Sequence, residues 1–364
     1  MTSDAVGGAP ARARALAGAV SLGVPRPGRR VLVVAASAGV LAATLLLGVL
    51  VGPAGLTPGG VLAALAGAVP GTGVRTSLTE QQQAILWQIR LPRVVLGALV
   101  GAMLALAGAA YQGVFRNPLA DPYLLGVSSG AGLGATLAIV SGGALAGLGL
   151  PVVAFAGGLV GVAATYALGA SVGRGARSSV VIVLAGVAVA AFLNAIQTFV
   201  QQRYDETLRS VYSWLLGRLS TQGWSEVLTV LPYVVVAGVV VLLHRRVLDV
   251  MAVGDTEARS LGVDATRTRL VLVFAATLGT AAVVSVSGLI GFVGIVVPHA
   301  VRLVLGGSHR VLLPVSMLLG AAFLVGADVL ARTVLSPAEL PIGVVTALVG
   351  APFFVVVLRR ARLS

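Results

Sequence analysis

Long apolar runs separated by short polar stretches dominate this chain. Ten of these runs predict helices, at residues 31–51, 91–114, 123–141, 150–172, 179–201, 227–243, 269–287, 293–305, 311–332 and 341–358. A helix needs about 20 apolar residues to cross roughly 30 Å of hydrocarbon, and most of the runs approach that length. The run at 293–305 is too short to span by itself. The pattern predicts an all-α integral membrane protein with about ten transmembrane helices.

Composition supports the same class. The 364 residues are 57% hydrophobic and only 10% charged. Soluble domains carry roughly 25% charged residues, so this chain cannot cover a water-facing surface over its whole length. The mean hydropathy of +1.01 agrees.

The net charge of +13 is best explained by membrane topology and not by nucleic-acid binding, because the arginines cluster in alternate connections. With a cytoplasmic N-terminus, 18 arginines lie inside and 7 outside, the outer ones being Arg75, Arg90, Arg93, Arg203, Arg209, Arg218 and Arg332. We therefore expect both termini to be cytoplasmic, in the cytoplasmic (inner) cell membrane. Residues 1–30 are expected to form a disordered basic tail on the cytoplasmic side, and residues 31–364 a polytopic transmembrane domain. The run at 31–51 is too long for a signal peptide.

Several kinds of chemistry are excluded by the residue inventory. The chain has no cysteine, and all 25 of its basic residues are arginine. Without lysine there is no Walker A motif, so any ATP hydrolysis must occur on a partner chain. Three dispersed histidines do not suggest a metal site. We expect no catalytic residue, no metal and no cofactor.

Three segments carry a family resemblance. They are WQIRLPRVVLGALVGAMLALAGAAYQGVFRNPLADPYLLGVSSGAGLG at 87–134, GLIGFVGIVVP at 288–298, and ELPIGVVTALVGAP near the C-terminus. The chain closely resembles the FecCD-type permeases of ABC importers, which serve iron–siderophore, haem and cobalamin uptake. The resemblance implies a type II ABC importer permease: a homodimer of ten-helix subunits in the lipid bilayer, with two cytoplasmic ABC ATPase subunits and an extracytoplasmic substrate-binding protein.

A polar stripe marks the predicted helix at 179–201 and its end. It recurs at helical spacing and consists of Asn194, Gln197, Thr198, Gln201 and Gln202. Lipid cannot satisfy amide groups, so the stripe must face protein or water. The stripe either lines the translocation pathway or forms hydrogen bonds that hold neighbouring helices together. In the resembled family this helix lines the pathway.

The connection 244–268 is the largest one predicted on the inner side. By resemblance it is the coupling element that contacts the ATPase, through Met251, Asp255, Glu257, Ala258, Arg259, Leu261 and Gly262. An ordinary amphipathic loop is the alternative. Asp255 or Thr256 can cap a short helix there, and Gly262 can end one.

Three arginines at the outer ends of helices run against the usual charge bias. By resemblance, Arg90 and Arg332 match positions that pair with glutamates of the binding protein, and Arg93 belongs to the same docking group. For Arg332 an i, i+4 pair with Asp328 is the alternative. Glu339 is expected to cap the last helix.

Gly126, Gly130 and Gly134 predict a face for close helix packing. The GVSSG stretch that contains the first two also matches the nucleophile elbow of hydrolases. That reading is rejected, because the preceding strand and a nearby histidine and acid are missing.

An ion-driven secondary transporter is the second hypothesis, and an intramembrane enzyme the third. The secondary transporter is disfavoured by the near absence of carboxylates within the apolar runs. The enzyme is disfavoured by the lack of a nucleophile–base pair. An iron(III)-siderophore-type chelate is the expected cargo, with cobalamin or haem as the alternative.

Overall fold

Each of the ten predicted apolar runs coincides with a helix to within a few residues. The computed structural model describes residues 27–142, 148–171, 179–221 and 223–361, and these ranges contain helices but no strand. In chain order the helices are α1 (Pro27–Leu50), α2 (Pro58–Gly67), α3 (Glu80–Ile85), α4 (Leu91–Phe115), α5 (Val127–Val140), α6 (Leu150–Ser171), α7 (Ser179–Arg203), α8 (Leu208–Leu215), α9 (Ser225–Leu243), α10 (Arg245–Met251), α11 (Asp255–Ser260), α12 (Ala265–Ser287), α13 (Val293–Leu305), α14 (His309–Thr333) and α15 (Ile342–Ala361).

Seven helices within the described ranges are long and apolar enough to cross a membrane. Three more, α5, α13 and α15, fall on predicted runs but are shorter apolar helices. The all-helical membrane architecture is therefore confirmed, while the count of ten spans stays a prediction. Of the predicted N-terminal tail, residues 1–26 lie outside the described residues, and residues 27–30 form the first turn of α1.

Three helices form the centre of the bundle. Within their most apolar stretches, 78% of the residues are buried in the span that contains α4, 72% in α12 and 67% in α14, against 11% in α1. Small residues allow these helices to approach closely. At Gly108 the backbone of α4 touches that of Gly294 in α13, so any side chain there would clash with a carbonyl. The peripheral helices expose their apolar residues, as lipid-facing helices do.

A non-helical break separates α12 from α13. Gly288 and Phe292 bound it, and both have positive φ. The hydroxyl of Tyr123 donates to the carbonyl of Ile290 at 3.1 Å and accepts from its N–H at 3.2 Å. These two bonds satisfy backbone groups that the break removes from helical pairing, as a buried segment requires.

In the described part of the chain, three short α-helices lie in two long connections, outside the predicted runs. α2 and α3 lie in the connection 52–90, and α3 continues through a π-helical turn, Leu86–Arg90, into α4. The 3-10 turn Asp205–Thr207 and α8 lie in the connection 202–226.

Two ends of the bundle can now be distinguished. We call the end that carries residues 244–268 the coupling end. Arg116, directly after α4, reaches Asp255 there. α4 therefore runs from the opposite end, at Leu91, to the coupling end.

Candidate functional site

The predicted polar stripe lies on α7, and its members have different surroundings. Gln197 is buried, and its side-chain amide donates to Thr136 Oγ1 of α5 at 3.1 Å. Asn194, Thr198 and Gln202 are exposed on the single subunit, and Gln201 is half-buried. Thr198 donates its hydroxyl to the carbonyl of Asn194, one turn earlier. Gln197 therefore joins two helices, whereas the exposed members form an open polar face.

The polar face continues into a recess at the end of α7. A shallow cavity of about 520 Å³ is lined there by Phe199, Gln202, Arg203 and Tyr204. It combines aromatic and polar side chains, as small-molecule sites commonly do.

The predicted coupling region folds into two short helices around a small core of its own. Met251, Ala258 and Ala265 are buried together in this core. Their side chains offer no surface to a partner. Of the residues predicted to contact the ATPase, only the accessible ones can do so in this conformation. Glu257, Arg259, Leu261 and Gly262 are exposed, and Leu261 is 69% exposed.

Asp255 fastens α11 to the bundle. Its carboxylate pairs with Arg116 at 3.0 Å and with Arg269 of α12 at 3.1 Å. Asp255 therefore connects α11 to α12 and to the residue that follows α4. The side chain of Asp255 is still 34% exposed, so its contact with an ATPase stays a prediction.

A second clamp joins α10 to the start of α14. Asp249 accepts hydrogen bonds from the backbone N–H of His309 at 2.6 Å, from its Nδ1 at 2.9 Å and from the Ser308 hydroxyl at 3.1 Å. Arg310 lies 3.4 Å away. Partial burial alone would raise the pKa of Asp249, but the hydrogen bonds from His309 and Ser308 hold it below its ordinary value of 3.8.

The clamp predicts a pH dependence of stability. A carboxylate whose pKa is lowered by folding stabilises the fold above its unfolded pKa, and this contribution is lost as pH falls through the folded pKa. Asp249→Asn is therefore expected to lower the free energy of unfolding by about 1–3 kcal/mol at neutral pH. In urea unfolding of the detergent-solubilised subunit, the gap from wild type should stay constant down to about pH 5 and shrink below about pH 4. A gap that widens on acidification would contradict this assignment.

Two of the three arginines predicted to dock a binding protein are internal. Arg90 is 4% exposed and donates to the carbonyl of Val49 at 3.1 Å. Arg332 is 3% exposed and donates to the carbonyl of Gly48. Both carbonyls lie at the C-terminal end of α1, where the last turn lacks intrahelical partners and guanidinium donors are favourable. In this conformation neither side chain presents a surface to a partner.

Arg93 forms the centre of an ionic network that extends from the buried Asp328 to the half-exposed Glu339. It donates to Asp328 at 2.8 Å and to Glu339 at 2.8 Å, which joins α4, α14 and the segment before α15. The side chain of Asp328 is only 2% exposed and also lies 3.4 Å from Arg332, the predicted i, i+4 pair. Glu339 pairs with Arg93, and its role at the start of α15 stays a prediction.

The three spaced glycines face α6. A side chain at Gly130 would clash with the carbonyl of Gly157, and one at Gly134 with the carbonyl of Val153. Gly126 has a φ of +86° and begins α5. The backbones of α5 and α6 therefore meet directly, at the place where the sequence predicts close packing.

Two adjoining cavities at the opposite end went unrecognised in the sequence. The larger, of about 400 Å³, is lined by Arg209, Ser213, Trp214, Arg218 and neighbouring side chains. The smaller, of about 230 Å³, shares Ser213 and Arg218 and reaches Arg93 and Glu339. Among the described residues, Arg209 and Arg218 have no ion-pair partner. The helical spacing of Arg209 and Ser213 was an available signal, but α8 was not expected.

The described residues contain no group of three or more His, Asp or Glu side chains placed to hold a metal ion. They offer polar faces, recesses and contact surfaces.

Comparison with known proteins identifies the family. The model of the FecCD transport family matches residues 40–360. The cobalamin import system permease protein BtuC of Halobacterium salinarum is 47% identical over 280 residues, which cover 77% of this chain and 74% of that protein. The Fe(3+) dicitrate transport system permease protein FecD of Escherichia coli is 40% identical over 293 residues, 79% of this chain and 91% of that protein.

A solved structure shares the fold. It is described as an inward-facing conformation of a metal-chelate type ABC transporter, and it is 31% identical, with a TM-score of 0.76, over 90% of this chain and 98% of that one. Together with the apolar helices, these relatives imply a multi-pass protein of the cell membrane. The chain belongs to the FecCD transport family.

Proposed function

We propose that this chain is the transmembrane permease subunit of a binding-protein-dependent ABC importer that carries a large metal chelate. The observation that carries the proposal is the coupling end. There, an exposed helix, α11, is tied by Asp255 to the central helices, in a chain without lysine and hence without a Walker A motif. Such an element is suited to receive force from a separate ATPase. The 18 arginines on the predicted inner side support a cytoplasmic location for it.

The proposed assembly is a homodimer with two ABC ATPases and one extracytoplasmic binding protein. The exposed polar face of α7 supports the dimer, because the side-chain amides of Asn194 and Gln202 cannot face lipid without loss of hydrogen bonding. A second subunit across a water-filled pathway satisfies them. ATP-driven movement of α11 then shifts α4 and α12 and alternates access to the pathway.

The docking surface is proposed at the end opposite the coupling end. Arg90, Arg93 and Arg332 were expected there, but a docking role for them requires their internal bonds to open. Arg209 and Arg218 are exposed and unpaired among the described residues, and they flank the two adjoining cavities. Charge-assisted pairs from these two arginines to acidic side chains of a binding protein would steer and orient it.

The proposed cargo is an iron(III)-siderophore-type chelate or a corrinoid, with haem as a further candidate. The identity of 47% with a cobalamin permease makes a corrinoid the first cargo to assay. The uncharged polar face of α7 is suited to a bulky chelate with hydrogen-bonding groups and not to a bare ion.

The cargo assignment is tested by uptake into proteoliposomes that contain the subunit, its ATPase and its cognate binding protein. We expect ATP-dependent accumulation of labelled cyanocobalamin, a ferric siderophore or haem. Two of these compounds should compete for uptake only if the binding protein binds both of them. Accumulation of none of the three, with molybdate or free iron taken up instead, would contradict the proposed cargo class.

The two roles within the polar stripe make separate predictions. Asn194→Leu with Thr198→Val should slow uptake while changing the free energy of unfolding by no more than about 0.5 kcal/mol, since both side chains are exposed. Gln197→Leu removes the bond to Thr136 and should cost about 0.6–1.7 kcal/mol. Chemical unfolding and uptake are measured on the same preparations. Unchanged uptake in the double variant would show that this face of α7 does not line the pathway.

A further inference from the structure

A groove at the coupling end borders the proposed ATPase contact, since Gly262 forms part of its lining. It lies where the junction of α9 and α10 meets the start of α12, and it encloses about 450 Å³. His244, Arg267 and Thr268 line its polar side, and Val247 and Val271 line its apolar side.

The basic side chain in this groove makes no ion pair with the described residues, unlike the two arginines that hold Asp255. Arg116 and Arg269, near the same end, are held by Asp255. Arg267 is exposed, and none of the described residues places a carboxylate within ion-pair distance of it. Asp264 attracts Arg267 electrostatically but does not bind its guanidinium, so the forked donors remain available to a ligand phosphate.

Two further polar groups face the same space. Among the described residues the Thr268 hydroxyl has no hydrogen-bond partner, although its backbone N–H bonds within the helix to Asp264. His244 donates from Nδ1 to the carbonyl of Val240 at 2.7 Å, so Nε2 of the neutral ring is an acceptor and offers no hydrogen bond to a phosphate. The hydroxyl supplies an additional donor for a phosphate oxygen.

One acid also lines the groove. The carboxylate of Asp264 accepts the backbone N–H groups of Thr266 at 2.9 Å and Arg267 at 3.0 Å. It therefore caps the first turn of α12 and makes no ion pair with Arg267. Arg245, Arg246 and Arg259 are exposed nearby, so basic side chains outnumber this acid.

An apolar surface continues from the groove along the bundle. Leu243 at the end of α9 is 73% exposed, and Phe274 of α12 is 66% exposed. Leu270 lies between the groove and Phe274 along α12, and is exposed as well. Both helices are candidate membrane spans, so this surface faces acyl chains.

We propose that this groove binds one anionic phospholipid, with its phosphate on Arg267 and Thr268 and an acyl chain along Leu243, Leu270 and Phe274. A phosphate site that opens onto a lipid-facing surface matches both halves of a phospholipid, whereas a soluble phosphate would use only the polar half. Basic pockets between transmembrane helices on the cytoplasmic side are known to bind acidic headgroups. The site requires the chain to lie in a membrane with its coupling end at an anionic leaflet, and it is independent of the cargo.

Native mass spectrometry of the detergent-solubilised subunit tests the site with phosphatidylglycerol and phosphatidylcholine of identical chains. We expect one phosphatidylglycerol to bind at least tenfold more tightly than phosphatidylcholine. Arg267→Glu should remove this preference, and Thr268→Val should weaken it. Arg75→Glu, which changes an exposed arginine at the opposite end, should leave it intact. Thermal unfolding of each variant confirms that it is folded.

Three results would overturn the site. Equal affinity of wild type and Arg267→Glu for phosphatidylglycerol would exclude the proposed phosphate contact. Displacement of the lipid by millimolar inorganic phosphate would identify a site for soluble phosphate. Unchanged lipid binding in Arg267→Glu, together with weakened binding of the ATPase, would assign the groove to the partner protein.

Discussion

Leu261→Glu is expected to reduce ATP-driven uptake at least tenfold while leaving the permease folded. Leu261 directly follows α11 and is 69% exposed, so its removal costs the isolated subunit little. At an ATPase interface the same leucine would be buried, which contributes about 1.5–3 kcal/mol, and a glutamate in its place would be left unpaired. A loss of about 1.4 kcal/mol already weakens binding tenfold.

Pull-down of the ATPase and uptake into proteoliposomes measure this effect. Val69→Glu is the matched control, because Val69 is an exposed apolar side chain, 56% exposed, on the connection that follows α2 at the opposite end. It should leave the affinity for the ATPase unchanged. If Leu261→Glu binds the ATPase like wild type and transports normally, α11 is not the coupling element.

Asp328→Asn is expected to destabilise the subunit by about 3–5 kcal/mol, since breaking a buried ion pair leaves an uncompensated charge. Asp328 holds Arg93 at 2.8 Å and lies 3.4 Å from Arg332, in a site almost closed to solvent. In the variant, Glu339 is the one acid of the network that remains to balance the two guanidinium groups of Arg93 and Arg332. Chemical unfolding in detergent measures the loss.

Two further variants make this prediction specific. Asp205→Asn changes an exposed acid near the same end and should shift stability by less than about 0.5 kcal/mol. Arg93→Met combined with Asp328→Leu removes both charges of the pair and should recover part of the loss. A loss below about 1 kcal/mol for Asp328→Asn would mean that water reaches the network.

The helices that cross the bundle could be predicted from the sequence because a lipid environment demands long apolar segments. The run predicted at 293–305 matches α13, Val293–Leu305, at both ends. α2 and α8 were missed because each is too short to produce such a run. Local signals were present: Thr57 caps α2 with Pro58 in its first turn, and Thr79 and Gln82 form a capping box at α3.

The candidate site was less accessible to sequence reasoning because its geometry depends on partners distant in the chain. Periodicity places Gln197 on one face of α7, but it does not reveal that Thr136 of α5 lies opposite. Likewise, the sequence places Arg90 and Arg332 at the ends of predicted helices, where side chains are expected to be exposed. Only the fold brings the last carbonyls of α1 over both guanidinium groups.

The energy source of transport is the most direct test of the proposed mechanism. Proteoliposomes are prepared with the subunit alone, with the ATPase and binding protein, and with an ATPase variant that binds but does not hydrolyse ATP. Cargo should accumulate only with the active ATPase, and collapse of proton and sodium gradients by ionophores should not alter the rate. Accumulation against a gradient by the subunit alone would contradict the mechanism.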